Sequence, residues 1–329
     1  MSGQRWAALI LAIGLFFVSV FYQLSLANTD SVDRLVSNEI YFDEKVIQDG
    51  DFDQKIVVLN LDGIIQDLGS LPFSNSMVYD HRTFLKSITH AGEDDSVDGI
   101  ILNMNTPGGG VVESAEIHAR LVEIQEQYNK PIYVSMGNTA ASGGYYVSAP
   151  ADKIVAHPAT LTGSIGVIME SVNYAELADK LGIDFNTIKS GEFKDIMSSS
   201  REMTDEEEDI LQTMIDELFD EFVQVIVDGR GMTESDVRKL ADGRIYTGKQ
   251  AKENGLIDEV GSLEDTIAFM QADHQLENAQ VVEYEASQGL WGLLSYSAQN
   301  IFRKDTELQG IMNIIRDSSG PRAMYLYSR

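Results

Sequence analysis

The 329-residue chain contains no cysteine. That single absence excludes disulfides, thiolate nucleophiles, zinc–thiolate sites and iron–sulfur clusters together. Positive charge is also scarce, since 24 Lys and Arg stand against 52 Asp and Glu and leave a formal charge of −28. A field of that sign repels phosphate backbones, so no nucleic-acid partner is expected. Histidine occurs five times, as His81, His90, His118, His157 and His274. His118 falls inside a helical pattern and His157 precedes a proline at a strand end, and none of the five is marked as a catalytic base. The phosphate-loop pattern G-x-x-x-x-G-K followed by Ser or Thr is missing too, and no glycine spacing matches a dinucleotide fingerprint.

What is present begins with an uncharged N-terminal run. Trp6 to Ala27, "WAALILAIGLFFVSVFYQLSLA", holds 22 residues without a charge. At ~1.5 Å per residue it would span roughly 33 Å, about the hydrocarbon thickness of a bilayer. Arg5 precedes it and Asp30 is the first charge after it, which orients the start to the cytoplasm and the body outside. The run exceeds the ~7–15 apolar residues of a cleavable signal peptide. Residues 1–27 therefore read as a retained single-pass signal anchor in the cell membrane, and the body as extracytoplasmic. Residues 28–54 are polar and acidic and read as a linker.

From Lys55 the pattern alternates between short strands and helices. "KIVVLNLDGII" (55–65), "VDGIILNMN" (97–105) and "KPIYVSM" (130–136) are near-continuous apolar runs of the kind found in buried parallel strands. "DKIVAHPA" and "GSIGVIM" (163–169) supply two more strands. Helical spacing appears over 79–91, 111–127 and 174–181. Thr204 and Glu207 form a capping box ahead of a long helix whose apolar face runs from Ile210 to Ile226. "GMTESDVRKLADG" and "TGKQAKENGL" read as further short helices. The alternation predicts an α/β fold with a largely parallel sheet and flanking helices over 55–285, followed by a C-terminal extension, 286–329.

Two glycine-rich turns stand out within this pattern. "NTAASGGYY" (138–146) sets Ser142 among small residues at the start of a helix, where backbone N–H groups are free. "TPGGG" (106–110) also lies between a strand and a helix. One N–H from each turn is what an oxyanion hole requires, whereas Ser142 taken alone would suit a helix cap equally well. With no histidine favoured, the base for such a serine would be a lysine. A free lysine titrates near ~10.4, so a lysine base must be buried and depressed by roughly three units, at a cost of about 4 kcal/mol. Lys189 and Lys194 are the candidates, and spacing does not separate them.

Six ordered motifs, "TPGGG", "NTAASGGYY", "LTGSIGV", "KSGEFKD", the acidic helix from Thr204 and "GRIYTGKQAKENGLIDEVG", resemble the short-form signal peptide peptidase A group of the protease IV family. These are serine-lysine peptidases on the ClpP/crotonase fold. The resemblance runs from about Lys55 to Met270, and it implies Ser142 as nucleophile and Lys194, not Lys189, as general base. It further implies the N–H groups of Gly109 and Gly143 as the oxyanion hole and Ser164 as the hydroxyl that orients the lysine. Neither metal nor cofactor is implied. Substrates would be remnant signal peptides and other extended apolar peptides, and the family assembles into rings with sites between neighbouring protomers. The terminal "AMYLYSR" is expected to lie in a peptide groove as an added strand. A crotonase-type acyl-CoA enzyme and an inactive membrane scaffold on the same fold are the alternatives; the anchor and "AASGG" weigh against the first, and the retained Ser142 and Lys194 against the second.

Overall fold

The computed structural model describes residues 14–15, 40–67, 79–288 and 322–327. The predicted anchor lies outside these except for Gly14 and Leu15, and among the described residues no helix is long and apolar enough to cross a membrane. Two compact units are distinguished, 44–284 with 311–329, and 1–43 with 285–310. Everything described below as the candidate site belongs to the first.

The centre of that unit is a sheet built from β2 (Asp51–Asp62), β3 (Val97–Thr106), β5 (Ile132–Ala141), β6 (Lys153–Ala156), β9 (Glu259–Val260) and the first part of β10 (Ala279–Gln288), in the order β10-β2-β3-β5-β6-β9. Every pairing from β10 to β9 along this path is parallel. The short β7 (Leu161–Gly163) continues parallel to the end of β5 and pairs antiparallel with β8 (Ile245–Thr247). Among the described residues the first strand is β1 (Ile40–Gln48), within the polar stretch read as linker.

The apolar runs are continuous because both sheet faces are covered. Val57, Leu59 and Leu61 of β2, with Ile100, Leu102 and Met104 of β3, point to one core. There they meet Ile88 of helix α1 (His81–Glu93) and Ile117, Leu121 and Ile124 of α2 (Val111–Tyr128). The alternate residues Ile56, Val58, Ile101 and Tyr133 face the opposite side, where Ile267 and Met270 of α8 (Leu263–His274) cover them. Gly99 permits that approach, since a β-carbon there would stand 2.5 Å from Met270 Sδ.

The capping box predicted at Thr204 opens α5, Asp205–Arg230. Its apolar face is covered only toward the C-terminal end, at Phe222, Val223 and Ile226, while Ile210 and Met214 are exposed. The preceding stretch departs further from expectation. In place of a strand over 163–169, only β7 and a single bridge between Ile168 and Met324 form. Ser164, at φ 51°, turns the chain out of the sheet. From there to residue 204, beyond the six-residue helix α4 (Ala175–Lys180), the chain is mostly exposed and carries Val172, Leu177, Leu181, Phe185 and Ile188 on its surface.

Candidate active site

β5 does not stop at Met136 but runs to Ala141 and delivers Ser142 directly to the start of α3 (Gly143–Ser148). Ser142 sits at φ 52°, ψ −115°, which an L-residue adopts only under constraint. Two bonds hold it. Its N–H donates to the Gly163 carbonyl at 2.7 Å, and its own carbonyl accepts the Tyr146 N–H at 2.9 Å. The first bond means that the Ser142 N–H is spent on the turn, leaving the next N–H, that of Gly143, as the one available to a ligand.

β5 and β7 are parallel with Ala141 opposite Gly163, so Ser142 and Ser164 leave the sheet side by side, both with positive φ. Both are buried, and neither hydroxyl has a hydrogen-bond partner among the described residues. No described histidine bonds to either one. His81 is engaged by Tyr79 and Glu116, each at 2.7 Å. His118 packs on Tyr146, and burial lowers its affinity for a proton.

The "TPGGG" turn forms a short strand, β4 (Gly108–Gly110). One edge of it is taken by Ile65, whose N–H donates to the Gly108 carbonyl at 2.9 Å and whose carbonyl accepts the Gly110 N–H at 2.8 Å. Strand alternation therefore turns the Gly109 N–H to the other edge. There lies β11 (Met324–Leu326), the chain's own C-terminal segment, running antiparallel with Tyr325 opposite Gly109. On its far side Met324 exchanges two backbone bonds with Ile168, at 2.9 and 3.0 Å. The tail is thus a strand held between Gly108–Gly110 and Ile168.

The same alternation aims the Tyr325 carbonyl at β4. A β-carbon on Gly108, itself at φ 94°, would collide with that oxygen and stand 2.5 Å from Gly143 N. One on Gly143 would stand 3.1 Å from both Gly109 N and the Tyr325 oxygen. A peptide carbonyl, the two glycine nitrogens and the Ser142 turn therefore converge, and glycine at 108 and 143 is what lets them.

The Tyr325 side chain is fully buried. It stacks on Tyr146 at 5.0 Å between ring centroids, meets Phe222 at 4.7 Å, and donates its hydroxyl to the Leu218 carbonyl at 2.9 Å. Burial, reinforced by nearby Tyr146 and Glu221, raises the phenol well above its usual range, so it remains a donor. Removing such a ring from water contributes on the order of 2–3 kcal/mol.

A chain laid as a strand across paired glycine N–H groups, with its carbonyl at a strained serine, has the geometry of peptide-bond chemistry. Comparison with known proteins agrees. Residues 124–277 match the model of Peptidase family S49. A protein of Enterococcus faecium named for signal peptide peptidase SppA is 37% identical over 99% of both chains. Protease 4 of Haemophilus influenzae is 35% identical over 65% of this chain and 34% of its own. The chloroplastic serine protease SPPA of Arabidopsis thaliana is 30% identical over 73% and 36%. The chain belongs to peptidase family S49, the SppA and protease IV family. It is a serine peptidase.

Within this family member the two candidate lysines differ. Lys189 Nζ is committed, donating to the Glu192 carbonyl at 2.6 Å and to Asp195 at 2.7 Å. Lys194, on the 3₁₀ turn Glu192–Asp195, is exposed, and its side chain makes no hydrogen bond or ion pair among the described residues. No bond joins it to Ser142 or Ser164 in the single chain. Sequence reasoning missed the pocket of Tyr146, Leu218 and Phe222 and the edge at Ile168. Nothing local marks them, since Tyr146 and Phe222 lie 76 positions apart in the chain.

Proposed function

We propose that the protein is a membrane-anchored serine endopeptidase that degrades remnant signal peptides after their release from pre-proteins, using Ser142 and Lys194. The observation that carries this reading is the tail itself, a peptide in extended form with its Tyr325 carbonyl turned to the Gly109 and Gly143 nitrogens beside Ser142. In the mechanism, neutral Lys194 accepts the Ser142 proton, and Ser142 Oγ attacks the carbonyl carbon. The Gly109 and Gly143 N–H groups hold the oxyanion. The lysine then gives its proton to the leaving amine, and water, deprotonated by the same lysine, releases the acyl group from Ser142. Ser164, side by side with Ser142, holds the lysine in line. The groove takes an extended substrate with an aromatic or large apolar side chain for the Tyr146–Phe222 pocket, which suits peptides drawn from the apolar part of a signal sequence.

A lysine base has to leave water, and the exposed Lys194 of a single chain has not. The exposed apolar residues Val172, Leu177, Leu181, Phe185 and Ile188 lie on the same stretch. We infer that a second copy covers this stretch and that Lys194 serves the Ser142 of its neighbour in a ring-shaped homo-oligomer. The test is hydrolysis of a fluorogenic peptide by the full-length protein, by Ser142→Ala, by Lys194→Ala and by the two variants co-assembled. Both variants alone should be inactive and their mixture should regain activity. A Lys194→Ala protein with parental activity removes the lysine assignment, and a mixture no more active than its parts places both groups in one chain.

A further inference from the structure

A second tail side chain, besides Tyr325, is received by the body of the protein. Arg322 Nη2 donates to Gln66 Oε1 at 3.0 Å, and its Nη1 stands 3.8 Å from Glu113 Oε1. We propose that Glu113 and Gln66 form a subsite for a basic side chain three residues before the residue whose carbonyl meets the glycine N–H pair. The assignment rests on the peptidase reading above and narrows its substrates to peptides in which Arg or Lys precedes an apolar stretch.

Glu113 is held for this role before any peptide arrives. It lies in the first turn of α2, where the helix N-terminus favours a carboxylate. Its Oε1 accepts the Asp67 N–H at 3.1 Å, which fixes the carboxylate beside the segment that bridges β4 at Ile65. Gly110 makes the room: a β-carbon there would fall on Glu113 Oε2. The side chain is only 14% exposed, so a charge brought to it is partly shielded from water. The surroundings add to the negative field. Asp67, Asp80 and Glu116 lie close enough that, after burial and together with Glu113, they raise the Tyr79 phenol. The nearby basic side chains are already engaged, Arg82 by Asp67 at 3.0 Å and the His81 ring by Glu116.

The order along the tail, Arg322, Ala323, Met324, Tyr325, Leu326, is basic and then apolar. A signal peptide has the same order, its basic n-region leading into the h-region. A subsite for the basic residue, ~10 Å along an extended strand from the residue in the aromatic pocket, sets the cut at the start of the apolar stretch.

The test compares fluorogenic peptides that reproduce residues 321–329 with others in which the residue matching Arg322 is Gln or Glu. Their kcat/KM values are measured with the full-length parent, Glu113→Gln and Glu113→Lys. The ratio between peptides is unaffected by competition from the protein's own tail, which slows all of them equally. The parent should prefer the Arg peptide to the Gln peptide about tenfold. Glu113→Gln should bring that ratio close to one, and Glu113→Lys should favour the Glu peptide. Binding of the same labelled peptides to Ser142→Ala, with and without Glu113→Gln, gives an answer independent of turnover. A parent that cuts all three peptides equally overturns the subsite and leaves the peptidase reading standing. Peptides that bind with the predicted Arg preference yet are never cut support the subsite and overturn the peptidase reading.

Discussion

Ser142 concentrates the tension between stability and chemistry in one residue. Its φ of 52° with ψ of −115° is sustained by the bonds to Gly163 and Tyr146, and a conformation of this kind costs of order 1–3 kcal/mol. Ser142→Gly should therefore abolish turnover while raising stability by about 1 kcal/mol, read as a higher Tm than that of the parent or of Ser142→Ala. A lower Tm for the glycine variant would show that the turn is not strained. Gly143 offers a second check at this scale. A methyl there would press on Ser114 Oγ at 2.6 Å and occupy the space between Gly109 N and the peptide carbonyl. Gly143→Ala keeps the N–H but forces it and the carbonyl out of line, and is expected to lower kcat by about 10²–10³, as when one oxyanion donor no longer reaches its acceptor. An effect confined to KM would assign the glycine to binding alone.

Among the elements, the exposed stretch before α5 is held by charge more than by apolar packing. Arg201 binds Asp195 through Nε at 3.0 Å and Nη2 at 2.7 Å, and Glu207 through both terminal nitrogens. Bonds from Arg201, followed by the Thr204 N–H, hold the Glu207 carboxyl down to about 2 from its ordinary 4.5. Asp195 is held low by Arg201 and then Lys189. A carboxylate depressed on folding contributes its stabilisation above its unfolded value and loses it as the pH falls through the folded one. The stretch should thus stay ordered at pH 5 and loosen between pH 4.5 and 2. The Thr204 amide, which donates to Glu207 at 3.0 Å, should report a midpoint near pH 2 by NMR, and a midpoint above 4 would contradict the cluster. Elements of this kind also show how far the sequence could be read. The parallel strands were legible because their apolar runs match a sheet covered on both faces, and the cap of α5 because Thr204 and Glu207 interact locally. The continuation of β5 through "GNTAA" was not, since its small polar residues carry no strand signal and are kept extended by pairing with Thr106 and β7. The turn at Ser164 was equally hidden, its φ being set by the bond from its N–H to the Arg244 carbonyl, 80 positions away.

At the scale of the whole molecule, the C-terminal strand closes the groove that a substrate would occupy. Ser142 and the two glycine turns stood out in the sequence by their small residues, Lys194 was chosen over Lys189 by family resemblance, and the tail was expected in a peptide groove as an added strand. The partners of that tail, β4, Ile168, Phe222 and Glu113, are brought together only by the fold. Deleting residues 321–329 should lower KM for an added peptide several-fold with little change in kcat, because the competing strand is gone. Unchanged kinetics would mean that the tail leaves the groove in solution. The central claim, that Ser142 is the nucleophile and Lys194 its base, is tested most directly by reacting the full-length protein with a fluorophosphonate and locating the adduct by mass spectrometry. The account predicts a single adduct, on Ser142, absent from Ser142→Ala and formed at least ~10²-fold more slowly in Lys194→Ala. An adduct on another residue, or a Lys194→Ala protein that reacts at the parental rate, would contradict it.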